Sequence, residues 1–206
     1  MMEREFGYKP PIPDKLRAQY ETALHEILRW KNGNWTDNIY ETDMDHVLRM
    51  FFILSDINKS CPTLSSEVSM EDVRHMIYIH DAGEIIVGDL THNRDDYGAL
   101  YPRWKSREHA AVRLITRKIE DKEVMLKARS LYTRYAAKKP HDKEALLTDF
   151  IDKLQGLRFG FENVFNGKGM KRKSREMQFN HAVALIIPSI KPLLQLVTPP
   201  SQSDLR

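Results

Sequence analysis

The residues most able to do chemistry in this sequence are a histidine followed directly by an aspartate, His80-Asp81. An imidazole nitrogen and a carboxylate oxygen are both common ligands of one divalent metal ion. Two more acids, Glu84 and Asp89, follow in an otherwise apolar run that reaches Gly88. Because burying several ionisable groups is costly unless a countercharge lies among them, this run predicts a bound cation.

A metal site needs further ligands from other parts of the chain. His46 lies beside apolar residues of a predicted helix, although a single buried histidine more often only bonds a carbonyl. Asp152 lies among apolar residues in a later predicted helix, where an aspartate is rarely buried without a partner. Asp149, one turn earlier, competes for that inward role, and either aspartate could belong to a solvated face. Such a mixed nitrogen and oxygen set suits Mn, Co, Fe, Ni, Zn or Mg: His46, His80, Asp81 and Asp152.

Two acids near the histidine could act on a water molecule. Glu84 lies one helical turn after His80 and should share its side of the helix, where it could serve as a general base or hold the water in line. Asp89 follows the glycine that closes the predicted helix. It could orient a water, polarise a leaving group, or simply occupy a turn.

The elements that must position these residues are predicted to be helices. Apolar residues recur at spacings of three and four through most of the chain, and no strand pattern of comparable length competes. The third helix should begin with a capping box in which the Asp72 carboxylate reaches back to Ser69, and should end at Gly88. The predicted helices cover about residues 14–30, 42–60, 69–88, 102–119, 122–137, 141–165 and 174–197.

Composition limits the class of protein. The 206 residues are 41% hydrophobic and 30% charged, which is typical of a folded domain and not of a disordered chain. The single cysteine, Cys61, favours a reducing compartment, and the charged N-terminus and the lack of a long apolar run disfavour secretion and membrane insertion. We therefore expect a cytoplasmic, all-α protein with an N-terminal extension (1–13), one helical domain (14–197) and a flexible tail (198–206).

Nucleic-acid binding is the alternative that the basic residues raise. The net charge of +3 is slight for this length. The loop near residue 170 is basic, but no aromatic residues interleave its charges as single-strand binding requires. Charge runs of this kind are usually solvated: Lys168, Lys171, Arg172, Lys173 and Arg175. We expect neither nucleic acid nor a membrane as a partner.

The longer pattern His-Asp-x-x-Glu-x-x-x-Gly-Asp, which residues 80–89 match at every fixed position, resembles the HD superfamily of metal-dependent phosphohydrolases. With His46 before it and Asp152 after it, the pattern is similar to the branch that contains bacterial 5′-deoxynucleotidases. The resemblance implies a single HD-domain bundle of about six to eight helices that holds one divalent ion on His46, His80, Asp81 and Asp152. It also implies that Glu84 and Asp89 take part in water activation.

An Arg-Trp pair ahead of the first histidine, Arg29-Trp30, also looks like that branch. The resemblance implies that Arg29 holds the phosphate and that Trp30 lies in the sugar or base pocket. The chemistry agrees, because a guanidinium forks onto phosphate oxygens and an indole face packs on a sugar or base. Otherwise Arg29 would complete the dipole at a helix C-terminus and Trp30 would be a core residue.

The sequence also departs from the family pattern. The family often has Ser-Val-Ala-Glu-His where this chain has Thr42-Asp43-Met44-Asp45-His46, and the usual proline after Gly88-Asp89 is missing. No Gly-Tyr-Pro segment accompanies the His-Asp pair, so the cyclic-dinucleotide phosphodiesterase branch is not supported. These changes surround the expected substrate pocket and leave the metal ligands intact.

The function that the resemblance implies is hydrolysis of deoxynucleoside 5′-monophosphates to deoxynucleoside and phosphate. The first alternative is a dNTP triphosphohydrolase that releases triphosphate and uses the basic residues Arg94, Arg103, Lys105 and Arg107. The second is a non-catalytic metal-binding or nucleotide-binding module, which would have no use for Glu84 and Asp89. The expected partner is a small-molecule nucleotide, and the family is commonly dimeric, so we expect a homodimer or other homo-oligomer.

Overall fold

The computed structural model describes residues 2–29, 41–89, 100–160, 162, 190, 191 and 193. These residues form a helical bundle, which confirms the all-α prediction. The only strands among them are β1 (Leu28–Arg29) and β2 (Glu41–Thr42), which pair antiparallel. The helices are α1 (Met2–Phe6), α2 (Asp14–Glu26), α3 (Asp43–Ser60), α4 (Pro62–Glu67), α5 (Met70–Ile79), α6 (Glu84–Val87), α7 (Leu100–Thr116), α8 (Lys122–Ala137) and α9 (Lys143–Phe159).

Helix α3 begins where the sequence predicts, because a capping box fixes its first turn. The Thr42 hydroxyl accepts the Asp45 N–H at 3.1 Å, and the Asp45 carboxylate accepts the Thr42 N–H at 3.2 Å. His46 follows directly. The cap therefore sets the position of the first predicted metal ligand along the helix.

The first predicted helix is shorter than expected. It ends at Glu26 and not near Trp30, because Ile27 leaves the helix in an extended conformation with φ −88° and ψ 119°. Leu28–Arg29 then pairs with β2, and Arg29 lies opposite Glu41. Arg29 is therefore not a residue of a helix C-terminus. Trp30 lies outside the described residues, as do most of the predicted helix at 174–197 and the tail.

The predicted helix at 69–88 is split by a turn. Helix α5 ends at Ile79, residues 80–83 form the turn, and α6 begins at Glu84. Tighter hydrogen bonds replace the helical ladder: the Ala82 N–H bonds the Ile79 carbonyl at 3.1 Å, and the Glu84 N–H bonds the Asp81 carbonyl at 2.9 Å. The turn lies at the predicted ligands His80 and Asp81.

The start of α5 confirms half of the predicted capping box. The Ser69 hydroxyl accepts the Asp72 N–H at 3.3 Å, as expected. The prediction of the reciprocal bond, from the Ser69 N–H to the Asp72 carboxylate, is wrong, because the Ser69 N–H donates to the Glu144 carboxylate at 2.9 Å. The Asp72 carboxylate instead accepts from Arg134. The cap of α5 is thus completed by α9.

Helices α3, α5 and α9 form the centre of the core. Their inward faces carry apolar side chains that are at most 2% exposed: Val47, Met50, Phe51, Val73, Met76, Ile77, Leu147 and Ile151. The N-terminal residues also enter this core, since Met2 is 3% exposed and Tyr8 packs against Phe51 with ring centroids 5.2 Å apart. Among the described residues, no helix is both long enough and apolar enough to cross a membrane.

One arginine joins three helices outside the apolar core. Arg134 on α8 bonds both carboxylate oxygens of Asp142 at 2.8 and 2.9 Å, just before α9. It also bonds Asp72 on α5 at 3.0 Å and Glu144 on α9 at 2.7 Å. Paired and bidentate geometry of this kind is the form in which partly exposed ion pairs contribute to stability.

Replacing Arg134 with methionine should lower the free energy of unfolding by about 1–3 kcal/mol, because three carboxylates lose their partner while their partial exposure limits the loss. Urea unfolding measures the change. Arg158→Met is the control, because Arg158 forms one exposed pair with Glu162, and its effect should stay within about 0.5 kcal/mol. Equal effects of the two substitutions would contradict the role of Arg134.

This network also predicts a dependence on pH. Burial raises the pKa of Asp142, but hydrogen bonds from Arg134 outweigh it and hold the pKa below its ordinary value of 3.8. A lowered folded-state pKa gives stability that is present above pH 3.8 and is lost as the pH falls through the folded-state value. The difference in unfolding free energy between the wild type and Arg134→Met should therefore shrink below pH 3.8.

Candidate metal centre

Four side chains converge in the middle of the bundle. His46 comes from α3, His80 and Asp81 from the turn after α5, and Asp152 from α9. Nε2 of His46 lies 3.2 Å from Nε2 of His80 and 3.1 Å from Oδ1 of Asp152. Nε2 of His80 lies 2.9 Å from Oδ2 of Asp81. The structure thus brings together the four residues that the sequence predicts as ligands, while ligation itself stays a prediction.

The hydrogen bonds of the two imidazoles determine which nitrogen carries the proton. Nδ1 of His80 lies 2.8 Å from the Ile77 carbonyl, which can only accept, so Nδ1 carries the hydrogen. Nδ1 of His46 lies 2.5 Å from Oε1 of Gln155 and donates to it in the same way. In their neutral forms, which are the forms that bind a metal ion, both rings therefore direct the lone pair of Nε2 into the site.

These lone pairs make the site a cluster of acceptors. The two Nε2 atoms face each other, and carboxylate oxygens of Asp81 and Asp152 lie against them. Acceptors at about 3 Å repel one another unless a proton or a cation lies between them. His46, His80 and Asp81 offer ligand atoms that all lie within 4.8 Å of one another. The donor set and its arrangement therefore fit a divalent metal ion.

The pKa shifts report the same arrangement of charge. Burial lowers the pKa of His80, but the carboxylates of Asp81 and Asp152 outweigh it and raise the pKa to about 9. Burial raises the pKa of Asp81, but His80 and Arg29 hold it well below its ordinary value. Burial likewise opposes ionisation of Asp152, but the contact with Nε2 of His46 and the charge of His80 lower its pKa. The site thus keeps its carboxylates negative, which is the state that binds a cation.

The structure distinguishes between the two aspartates that compete on α9. Asp152 faces the histidines and also accepts a hydrogen bond from the Tyr135 hydroxyl at 3.1 Å. Asp149, one turn earlier, forms ion pairs with Lys138 and Lys153. Asp152 is thus the residue placed at the metal centre, as the sequence predicts.

A second acidic group lies beside the first and shares Asp81. Ligand atoms of Asp43, Asp81 and Glu84 lie within 4.8 Å of one another. Arg29 is among them, with Nη1 2.7 Å from Asp81 and 3.4 Å from Asp43. Burial opposes the charge of Arg29, but Asp81, Asp89, Glu84 and Asp43 outweigh it and raise the pKa of the guanidinium well above its ordinary value.

The two predicted catalytic acids lie next to these groups. Oε2 of Glu84 is buried without a hydrogen-bond partner among the described residues, and burial together with Asp81 and Asp43 raises the pKa of Glu84. Asp89 lies near enough to Arg29 to raise its pKa. It follows Gly88, whose φ of 81° is a conformation that favours glycine. Trp30, the other predicted substrate residue, lies outside the described residues.

Sequence reasoning missed three buried polar residues around the histidines. Asp43 is fully buried. It stands where the family pattern has valine, and this difference from the pattern is the signal that could have identified it. Gln155 follows Asp152 by three residues and so shares its side of α9. Glu41 lies on a two-residue strand that has no recognisable pattern. Glu41 and Gln155 are 4% and 1% exposed.

Gly83 allows the turn to pack closely against α7. A Cβ atom on Gly83 would lie 2.4 Å from Cγ of Glu108 and 2.9 Å from its carbonyl oxygen, which is closer than real contacts allow. Glu108 cannot move freely, because it is buried and accepts hydrogen bonds from Lys105 at 2.6 Å and from Tyr132 at 3.0 Å. Only glycine fits here without displacing the turn that carries His80 and Asp81.

Comparisons with known proteins agree with this geometry. The sequence model of the HD domain family matches residues 23–190. A crystal structure from Magnetospirillum magnetotacticum MS-1, described as a predicted metal-dependent phosphohydrolase, superimposes with a TM-score of 0.57 at 18% identity. The superposition covers 90% of this chain and 98% of that one, and it shows a shared fold. No curated protein sequence matches the chain significantly.

Gly83→Ala should lower the free energy of unfolding by about 1–3 kcal/mol, because the added methyl group overpacks the contact with Glu108. It should also weaken Mn²⁺ binding, since the turn that carries His80 must shift. Gly156→Ala is the matched control: it lies within α9 with no atom near its Cβ position, and it should leave stability unchanged or raise it by up to about 1 kcal/mol. Chemical unfolding and calorimetric titration measure both variants.

Mn²⁺ should raise the midpoint of thermal unfolding of the wild type, because an ion that binds only the folded state stabilises it. Asp152→Asn should abolish most of that increase. Asp149→Asn, one turn away, should lower the midpoint without Mn²⁺ but keep the increase, because Asp149 contacts lysines and not the histidines. An increase that depended on Asp149 and not on Asp152 would contradict the assignment of the site.

Proposed function

The chain belongs to the HD-domain family, and on that premise we propose that it is a metal-dependent phosphohydrolase that acts on nucleotides. We propose further that its substrates are deoxynucleoside 5′-monophosphates, cleaved to deoxynucleoside and phosphate. The observation that carries the proposal is the cluster of acceptors around Nε2 of His46 and His80, with Arg29 beside it. A divalent cation held there would lie next to a guanidinium, which is the combination that a phosphate ester needs.

The ligands of the proposed cation are His46, His80, Asp81 and Asp152. When bound, such an ion supplies Lewis acidity, which makes water more acidic and offsets the negative charge of a phosphate. The protein contributes the fixed geometry. Each imidazole is held by a hydrogen bond at Nδ1, and Asp152 is held by Tyr135. Ligands that are oriented before binding lose little freedom when the ion and the substrate arrive.

Glu84 is proposed as the general base. Its Oε2 atom is buried and has no hydrogen-bond partner among the described residues, so it is available to accept a proton from water. One of its carboxylate oxygens lies within 4.8 Å of a carboxylate oxygen of Asp81. Burial and then the neighbouring carboxylates of Asp81 and Asp43 raise the pKa of Glu84, which makes its carboxylate a stronger base than an exposed glutamate. Asp89 is proposed to orient the same water.

Arg29 is proposed to bind the phosphate of the substrate. Its Nη1 atom contacts carboxylates, while its Nε is buried without a hydrogen-bond partner among the described residues. The guanidinium therefore has a donor left over for a phosphate oxygen. Trp30 is proposed to line the sugar or base pocket, as the family resemblance implies. A homodimer and a cytoplasmic location stay predictions.

The triphosphohydrolase alternative relies on four basic residues, of which Arg94 lies outside the described residues and the other three lie on α7. Lys105 bonds the buried Glu108 at 2.6 Å, and Arg103 and Arg107 are exposed to solvent. These positions are those of ordinary surface charges. The monophosphate is therefore preferred, and the products of the reaction distinguish the two.

A panel of deoxynucleoside and ribonucleoside mono- and triphosphates, assayed with Mn²⁺, Co²⁺ and Mg²⁺, tests the proposal. We expect phosphate from deoxynucleoside monophosphates. Glu84→Gln should lower kcat at least about 100-fold while the Kd for Mn²⁺ changes little, because an amide cannot take the proton. Triphosphate from dATP with no reaction on dAMP would replace the proposal by its alternative. Hydrolysis by Glu84→Gln at the wild-type rate would remove Glu84 from the mechanism.

A further inference from the structure

Behind His46 lies a chain of buried hydrogen bonds that the proposed reaction does not use. Nδ1 of His46 donates to Oε1 of Gln155, and Nε2 of Gln155 donates to the two carboxylate oxygens of Glu41 at 3.2 and 3.0 Å. His46 is fully buried, and the other two are almost so. The three residues come from α3, α9 and β2, so three separate elements meet in this chain.

We propose that Glu41 and Gln155 are positioning residues that orient His46 and hold its Nε2 lone pair toward the metal. This inference rests on the proposed function, because it concerns a ligand of the same cation. Neither residue is proposed to contact substrate or metal. Both act through His46, and the Glu41–Gln155–His46 chain transmits their effect.

The chemistry of the chain fixes the direction of every bond. A carboxylate can only accept hydrogen bonds, so the amide of Gln155 must present its NH₂ group to Glu41. The carbonyl oxygen of Gln155 then faces His46, and this oxygen can also only accept. The hydrogen of His46 is therefore held on Nδ1, and the lone pair is left on Nε2. Without Glu41, the amide could turn over and reverse this preference.

The buried hydrogen-bond partners of the Gln155 amide favour this orientation over the reversed one. A buried amide that turned over would place its NH₂ group against the N–H of His46 and its oxygen against the carboxylate of Glu41. Each such mismatch leaves a buried polar group unsatisfied, which destabilises the reversed orientation. Glu41 itself is supported by Arg49, with Nε 3.5 Å away, and by Nδ1 of His46 at 3.8 Å. The carboxylate is thus balanced by positive or donating groups on two sides.

The strand that carries Glu41 also pairs with the strand that carries Arg29. The two residues lie directly opposite each other in the β1–β2 ladder. One position of this two-stranded ribbon therefore carries the proposed phosphate ligand, and the facing position carries the acid that orients a metal ligand. The ribbon fixes both positions relative to each other, which ties metal binding to the placement of the phosphate.

A purely structural role for the pair makes a different prediction. If Glu41 and Gln155 only join β2 to α9, any buried pair of equal volume and equal stability would serve. If they orient His46, the order of donors and acceptors must be kept. The exchange Glu41→Gln with Gln155→Glu keeps this order, because the new Gln side chain donates to the new carboxylate, which accepts from Nδ1 of His46.

Four proteins test the inference: the wild type, Gln155→Met, the double exchange Glu41→Gln/Gln155→Glu, and the control Glu144→Gln. The control removes a carboxylate of the same helix that bonds Ser69 and Arg134, away from the histidines. Calorimetric titration with Mn²⁺ gives the Kd, thermal unfolding gives the stability, and ¹⁵N NMR of the metal-free protein gives the tautomer of His46.

Gln155→Met should weaken Mn²⁺ binding about 10- to 100-fold, the range found when partners of metal ligands are removed. It should also shift His46 away from the tautomer protonated at Nδ1. The double exchange should restore both the tautomer and a Kd within threefold of the wild type. Glu144→Gln should lower the unfolding midpoint while its Kd stays within twofold of the wild type.

Two results would overturn the inference. The first is a folded Gln155→Met protein that binds Mn²⁺ within twofold of the wild type. The second is a folded double exchange that binds no better than Gln155→Met. Failure of the proposed function would give a different result. If the wild type binds Mn²⁺ with an affinity that depends on Gln155 but hydrolyses no phosphate ester, the proposed function is wrong and the positioning role remains. The tautomer of His46, measured by ¹⁵N NMR, tests the Glu41–Gln155–His46 chain of hydrogen bonds even if no ion binds.

Discussion

Two imidazole Nε2 atoms that lie only 3.2 Å apart are the constraint on which this structure depends. Each ring uses Nδ1 to donate to a fixed acceptor, so neither can relieve the contact by turning over without losing a buried hydrogen bond. Carboxylate oxygens lie against the same nitrogens. The interior of the bundle is therefore stable only with positive charge at this point, supplied by protons or by a metal ion.

The surrounding charges follow from that requirement. The carboxylates of Asp81 and Asp152 stay ionised, and His80 holds its proton to a pKa of about 9. Arg29, which contacts the same oxygen of Asp81 as His80 does, balances an additional group of acids. A site of this kind has a place for a cation and, next to it, a second positive group for an anion. The same arrangement that resolves the local repulsion thus also suits a phosphate ester.

The scaffold holds these groups through short-range devices more than through regular helix. The Thr42–Asp45 capping box sets the start of α3 just before His46. The turn at 80–83 presents adjacent residues to one point, which a continuous helix would not do because consecutive side chains point about 100° apart. Gly83 lets that turn approach α7, and the Glu41–Gln155 pair supports His46 from behind.

The sequence by itself predicted the order of the long helices and the residues proposed as metal ligands. Helical periodicity identified the long helices, and α8 has the predicted bounds. Residue chemistry predicted His46, His80, Asp81 and one of Asp149 and Asp152 as ligands, because groups that are costly to bury indicate a site when they occur in apolar segments. These signals are local, so they can be read from one chain.

Tertiary structure alone decided what depends on contacts between distant segments. The end of α2 at Glu26 follows from the pairing of β1 with β2, and the break after Ile79 follows from packing against α7 and from the His80 bond to Ile77. The choice of Asp152 over Asp149, and the positions of Glu41 and Gln155, depend on which side of α9 meets α3. Such contacts join residues up to 114 positions apart, and no local pattern encodes them.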